Sequence, residues 1–547
     1  MRLIADAITV NVAFALAMVV RYLLYPLTGD MPQERMDAML IKFMTIYAQN
    51  AVPLTVVCLT VFWFSGFYTY GRAYQGRYKA LIILQAVLQS FLIYGLLMYM
   101  VWEHIGLLEI PRVALPIAAV LTLAMTLAAR TWSFLWKQLA KHESENPRLD
   151  STKPVRKVLV IGGGFGGATA AKYLRRFDGQ LDVTLVEPAK SFVTCPFSNT
   201  VIGGLNPIER ITHGYDGLRG HGVTVVHDTA SVIDGDRKEV RLNGGATLDY
   251  DQLIVSPGID FKWGAVEGGD ESIIDTIPHA WKAGAQTTLL RRQLEAMPDG
   301  GVFVISPPTN PFRCPPGPGE RISLVAHYFK QHKPKSKIIA LDPKEKFSKE
   351  GLFRQGWAEL YGDMIEYRTL NDDGRVARVD AGNMTLHTDF DEVKGDVINF
   401  IPPQHAGKIA RDSGLADSSG WCPVEQSAFE STLVPDVHVI GDASIASPMP
   451  KSGFAASTQA KACAAAIVAK LNGRDPAAPK FVNTCYSLVA PDYGISVAAV
   501  YDHQDGKIVA VKGAGGLSPS EADHTFRQQE ADYARGWYDS ITQDIFA

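Results

Sequence analysis

Three cysteines are each followed directly by proline. They are Cys195 in Thr194-Cys-Pro-Phe-Ser-Asn199, Cys314 in Phe312-Arg-Cys-Pro-Pro-Gly-Pro318 and Cys422 in Ser419-Gly-Trp-Cys-Pro-Val424. A thiolate is a nucleophile, and two thiols that meet can store two electrons as a disulfide. A single cysteine is as readily a small buried apolar residue, so the three carry chemistry only if the fold gathers them. Cys58 lies in an apolar stretch, Cys463 in an alanine-rich helix and Cys485 near the C-terminus; these read as packing or structural residues. No C-x-x-C or C-x-x-C-H occurs, so neither a zinc site of that kind nor a c-type haem on this chain is expected. The thirteen histidines form no ligand spacing, and no metal site is expected.

A second chemistry-bearing pattern begins at Lys157. Lys157-Val-Leu-Val-Ile161 reads as a buried strand, and Gly162, Gly164 and Gly167 then fill the three positions of G-x-G-x-x-G ahead of a helix. Such a turn lets backbone N–H groups meet a pyrophosphate at a helix N-terminus. A second strand, Asp182-Val-Thr-Leu-Val186, ends at Glu187, twenty residues after Gly167, where a ligand for a ribose 2′-hydroxyl belongs. Near the end of the chain, Val437-His-Val-Ile-Gly-Asp442 is a strand closing on Gly441-Asp442, followed by Lys451 and a helix after Ser452-Gly453. Leu253-Ile-Val-Ser-Pro-Gly258 reads as a strand and turn that carries the chain between two domains. By contrast, the strand Gly301-Val-Phe-Val-Ile-Ser306 runs into Pro307-Pro-Thr-Asn-Pro. Proline has no N–H to offer a phosphate, so NAD(P)H is not expected as electron donor.

These elements must be positioned by a chain of 547 residues, 47% hydrophobic and 20% charged, with net charge −4. That composition excludes a disordered chain, and the charge gives no reason to expect nucleic acid as a partner. The apolar residues are unevenly spread. Four stretches, roughly Leu3–Tyr25, Thr45–Tyr68, Ala80–Trp102 and Val113–Trp136, each approach the ~20 residues that cross ~30 Å of hydrocarbon as a helix. A signal peptide would account for one of them, not four. Arg2, Arg72, Arg77, Lys79, Arg130, Lys137 and Lys141 gather on one side, which the positive-inside rule makes cytoplasmic together with everything after residue 137. Lys141 to Pro154 is polar, aperiodic and holds two prolines, as a tether does.

The expected fold is therefore α/β. The strand ending in Gly441-Asp442 and the returning strand Leu253–Gly258 resemble those of two-dinucleotide-domain, glutathione-reductase-like flavoproteins, which implies two Rossmann-like domains, the first binding FAD, and a small α+β C-terminal domain after a four-helix transmembrane domain. The expected boundaries are 1–140 for the membrane domain, 141–156 for the linker, 157–280 and 431–476 for the two parts of the FAD-binding domain, 281–430 for the second dinucleotide-fold domain, and 477–547 for the C-terminal domain.

Two resemblances sharpen this reading. In residues 1–136, Arg2-Leu3, Asp6, Arg21-Tyr22, Phe67-Tyr68, Arg72 and Arg77-Tyr78 resemble the membrane domain of capsular-type polysaccharide-biosynthesis nucleotide-sugar epimerases and dehydratases. That family's Tyr-x-x-x-Lys pair occurs nowhere in this chain. Residues 157–547 resemble the flavoprotein subunit of flavocytochrome c sulfide dehydrogenase, a relative of the sulfide:quinone oxidoreductases. The resemblance rests on Thr194–Asn199, Arg313–Pro318, Gly420–Pro423, Pro448–Gly453 and the stretch from Asn483 to Ser496. Gly319 departs from it, standing where tyrosine is expected after Pro-Pro-Gly-Pro, which would loosen the loop beside Cys314.

The second resemblance implies a function. FAD would lie on Gly162, Gly164, Gly167 and Glu187, meet Gly441-Asp442 at its ribityl chain, and be attached covalently through Cys195. The helix after Gly453, aided by Lys451, would favour negative charge on the reduced flavin. Cys314 and Cys422 would form the redox-active disulfide that oxidises sulfide to sulfur or polysulfide. Electrons would pass to a cytochrome c subunit or, as an alternative, to a quinone. A rival reading is a membrane-tethered flavin and disulfide sensor. The protein is expected in the cell inner membrane, with the flavin domain cytoplasmic by its basic residues and periplasmic by analogy with the family.

Overall fold

The computed structural model describes residues 2–24, 33–65, 77–105, 110–111, 113–144 and 155–547. Arg72, which enters the charge argument, and the tether residues 145–154 lie outside the described residues. The chain divides into two compact units, Met1–Pro147 and Arg148–Ala547.

The first unit holds four helices, Arg2–Leu24, Gln33–Phe64, Arg77–Ile105 and Ala114–Ser144. Three carry stretches long and apolar enough to span a membrane: Leu3–Leu24, Glu34–Phe64 and Leu81–Met100. In the fourth the apolar stretch among the described residues is Ala114–Ala129. That helix continues to Ser144, into the segment read from sequence as a tether. Phe14, Phe62, Val87 and Ala118 pack inside the unit, while Ile8, Val52, Leu92 and Val120 face outward. Polar side chains pair across its helices: Tyr94 Oη donates to Asn50 Oδ1 at 2.8 Å, and Asn11 Nδ2 to Thr55 Oγ1 at 2.8 Å. Hydrocarbon could supply neither bond.

The second unit is built on a five-stranded parallel sheet in the order Val437–Val439, Gln252–Val255, Lys157–Ile161, Asp182–Val186, Thr224–Val226. Its central strands are buried on both faces, which is why they read as unbroken apolar runs rather than alternating ones. A second parallel sheet follows in the order Ile365–Arg368, Lys337–Leu341, Val302–Ser306, Val397–Phe400. The chain crosses to it and back through one short antiparallel pair, Ile259–Phe261 against Gln404–Ala406, with Ile259 opposite Ala406. The C-terminal region is a three-stranded antiparallel sheet, Lys480–Ala490, Tyr493–Gln504 and Lys507–Leu517, closed by the helix His524–Phe546. Gly494 permits that closure, since a Cβ there would lie 2.3 Å from Ala531 N.

Candidate active site

The glycine turn has the geometry its sequence requires. Gly162 adopts φ +95°, and a Cβ on it would stand 2.3 Å from Ser256 O. A Cβ on Gly167 would stand 1.8 Å from Gly162 O. Strand, turn and the helix Phe165–Phe177 therefore pack closer than any side chain allows. Gly164 is the residue that precedes this helix. Glu187 closes the turn from the second strand, with Oε2 accepting from Gly163 N at 2.7 Å and Oε1 from Ala189 N at 2.9 Å.

At the far edge of the sheet, Gly441 takes φ +74° and its N–H donates to Gln459 Oε1 at 2.8 Å. Asp442 follows with Oδ1 buried and without a hydrogen-bond partner among the described residues, as is Arg313 Nε, which lies 4.0 Å from Asp442 Oδ2. Burial pushes the Asp442 carboxyl up; the Arg313 and Lys451 cations oppose this. Buried polar atoms are normally paired. An acceptor and a donor left open here, in line with a glycine turn that no side chain fills, fit a dinucleotide carrying pyrophosphate and hydroxyl groups. FAD is such a group.

Beside this cradle, one cavity gathers three thiols: Cys195, Cys314 and Cys485 all line it, with Trp281 and the helix start at Gly453. Cys195 Sγ donates to Trp281 O at 3.0 Å. Cys314 is held in the left-handed region at φ +59° just before the helix Gly317–His332, its N–H donating to Lys451 O at 2.7 Å. Burial pushes its thiol well up, and Cys485, Glu320 and Cys195 add to the shift. Cys422 does not line the cavity. It is fully buried, its N–H on Ala443 O at 3.0 Å, and its thiol is pushed up to about 12 by burial against the opposing pull of Lys451. All six cysteines are free thiols. Lys451 links the two proposed redox cysteines, its carbonyl bonded to Cys314 and its ammonium acting on Cys422. That ammonium also donates to the carbonyls of Asp442 (2.7 Å) and Ser444 (3.0 Å) and stands 3.8 Å over the Trp421 ring. Burial lowers it to about 8.

Several groups of this site carried no sequence signal. Arg321 is 1% exposed and, beyond the electrostatic influence of its neighbour Glu320, makes no ion pair with a carboxylate among the described residues. It donates instead to Asn199 Oδ1 (3.0 Å), Asn399 Oδ1 (2.8 Å) and Ala280 O (2.6 Å). Glu320, pushed up by burial, accepts from Asn199 Nδ2 and Leu488 N. Lys349, lowered to about 8 by burial, donates to Cys485 O at 2.9 Å and Ser487 Oγ at 2.8 Å. Gly319 is buried within the helix rather than on a loosened loop. A Cβ on it would stand 2.8 Å from the Phe353 ring, which occupies the space a larger side chain would take.

Known proteins align with this unit. Residues 156–285 match the pyridine nucleotide-disulphide oxidoreductase family. Residues 287–402 match the central region of the sulfide dehydrogenase (flavocytochrome c) flavoprotein chain, and 477–546 the flavocytochrome c sulphide dehydrogenase flavin-binding domain. The chain is similar to mitochondrial sulfide:quinone oxidoreductase of Dictyostelium discoideum, 26% identical over 332 residues, 56% of this chain and 69% of that protein. It is also similar to a sulfide dehydrogenase (flavocytochrome c) flavoprotein chain of Chlorobaculum thiosulfatiphilum, 65% identical over 46 residues, 8% of this chain and 96% of that sequence. In fold it resembles the sulfide:quinone oxidoreductase of Aquifex aeolicus, with a TM-score of 0.56 at 17% identity, covering 72% of this chain and 93% of the other. With the glycine cradle and the gathered thiols, these likenesses place the chain in the superfamily of sulfide dehydrogenase and sulfide:quinone oxidoreductase flavoproteins, and it is a flavin-dependent oxidoreductase.

Proposed function

We propose that the chain is a membrane-anchored, FAD-dependent sulfide dehydrogenase that oxidises sulfide to sulfur or polysulfide and passes the electrons to a cytochrome c. The observation that carries this is the cavity in which Cys195 and Cys314 meet beside the glycine cradle, with Lys451 joining Cys314 to Cys422. Gly162, Gly164, Gly167 and Glu187 would hold the nucleotide end of FAD, Gly441 and Asp442 its ribityl chain, and Cys195 a covalent bond to it. Bound FAD takes up two electrons together and can release them singly, which suits a haem or quinone acceptor.

The chain's own part begins with Cys314 and Cys422 joined as a disulfide. Hydrosulfide enters the cavity and attacks the sulfur it can reach, that of Cys314. A new S–S bond forms there, the Cys314–Cys422 bond breaks, and Cys422 leaves as a thiolate. The Lys451 ammonium stabilises that thiolate, which an apolar burial site alone would resist. Arg321 places a guanidinium in the cavity wall beside the Glu320 carboxyl, a cation that an entering anion can approach. Cys314→Ser and Cys422→Ser should each bind FAD yet lose its anaerobic bleaching by sulfide; bleaching retained in either variant contradicts the assignment.

The sulfide:quinone oxidoreductase reading is the second one, favoured by three apolar helices long enough to span a bilayer. In both, residues 1–136 serve as an inner-membrane anchor of four spans, of the kind found in polysaccharide-biosynthesis epimerases and dehydratases.

A further inference from the structure

Cys485 read from the sequence as a structural residue, yet its thiol stands in the cavity wall with Cys314, and of the ionisable groups around Cys314 it acts on that thiol most strongly. Polar groups are arranged around it. Asn483 Nδ2 approaches Cys485 Sγ at 3.4 Å. The amide is oriented for this by Ser452, whose Oγ donates to Asn483 Oδ1 at 2.6 Å while accepting from Ala455 N at the start of the helix Gly453–Leu471. Behind the strand, the buried Lys349 ammonium donates to Cys485 O. Cys422, in contrast, lies outside the cavity and fully buried, and Cys195 is committed to the flavin on the proposed reading.

We propose that Cys485 is a sulfur-accepting thiol that takes the sulfane sulfur from a persulfide on Cys314, clearing Cys314 to re-form its disulfide. The inference rests on the sulfide-oxidation reading above. The Cys485 sulfur attacks the outer sulfur of the Cys314 persulfide, the inner S–S bond breaks, and Cys314 leaves with the electron pair of that bond. The thiol proton of Cys485 passes to Cys314. One thiol and one persulfide thus exchange places without net oxidation. Oxidation occurs only afterwards, when the Cys314 and Cys422 thiolates re-form their disulfide and give two electrons to the bound flavin.

The test uses the whole flavin-loaded protein in detergent without oxygen. One equivalent of sodium sulfide per flavin is added, persulfides are trapped by alkylation, and peptides are mapped by mass spectrometry alongside the flavin spectrum. In the wild type the Cys485 peptide should gain one sulfur atom. In Cys485→Ser the added sulfur should be retained on Cys314 and, with Cys314 not cleared to re-form its disulfide, the flavin should stay oxidised. In Cys314→Ser, Cys485 should gain none. Wild-type bleaching with Cys485 unmodified overturns the relay while leaving sulfide oxidation standing. Sulfur reaching Cys485 in Cys314→Ser also overturns it, since the sulfur would then arrive by a route that bypasses Cys314. No bleaching together with no added sulfur overturns both readings.

Discussion

Replacing Lys451 by methionine tests the electrostatics of the site. Burial brings the Lys451 ammonium from its ordinary 10.5 to about 8, a difference of roughly 3 kcal/mol at about 1.4 kcal/mol per tenfold. The unfolded chain therefore holds this proton more tightly than the folded one. The cost is fully present below pH 8 and is relieved as pH rises from about 8 to 10.5, so Lys451 makes stability rise with pH across that window. Lys451→Met should remove this part of the rise in thermal midpoint. What the cation returns for its burial is stabilisation of the Cys422 thiolate. An opposite charge close by shifts a thiol by about 1–3 pH units, so sulfide-driven bleaching in Lys451→Met should be at least about tenfold slower at pH 7. Wild-type bleaching should slow above pH 8 as Lys451 loses its proton, and the variant should lack that alkaline limb. Stopped-flow absorbance of the flavin band, without oxygen, at a series of pH values reads both effects. A variant as fast as wild type at pH 7, or one that keeps the same alkaline limb, refutes the assigned role.

Other expectations are simpler. Denaturing the wild-type protein in acid should leave flavin attached to the polypeptide, and Cys195→Ser should release it; free flavin from the wild type contradicts the covalent bond. Gly167→Ala would set a Cβ 1.8 Å from Gly162 O. It should cost about 1–3 kcal/mol in overpacking and lower the flavin content per chain; unchanged flavin content and thermal midpoint would show that the turn tolerates a side chain.

The parallel sheet and its turn were legible because a strand buried on both faces has to be a continuous apolar run, as Val158–Ile161 is. The turn beyond it needs φ > 0 at Gly162 and no side chain at Gly167, and both needs write themselves into residue type. The three Cys-Pro sequences were equally visible. Their arrangement was not. Cys485 reaches the cavity along a strand from a different region of the chain, and nothing in its neighbours announces a tertiary meeting with Cys314. Arg321 looked like one helix residue among others, since its carbonyl and amide acceptors on residues 199, 280 and 399 come together only in the fold. Gly319 read as a loosening substitution because its partner, Phe353, lies on another helix.

The central claim, that this chain draws two electrons from sulfide through its thiols into its flavin, is tested most directly by an anaerobic titration. Sulfide is added stepwise to the purified flavin-loaded protein while the visible flavin band is followed. Bleaching complete at about one sulfide per flavin is the predicted result, since sulfide and flavin exchange electrons in pairs. A band unmoved by excess sulfide, in protein whose flavin dithionite still bleaches, contradicts the account.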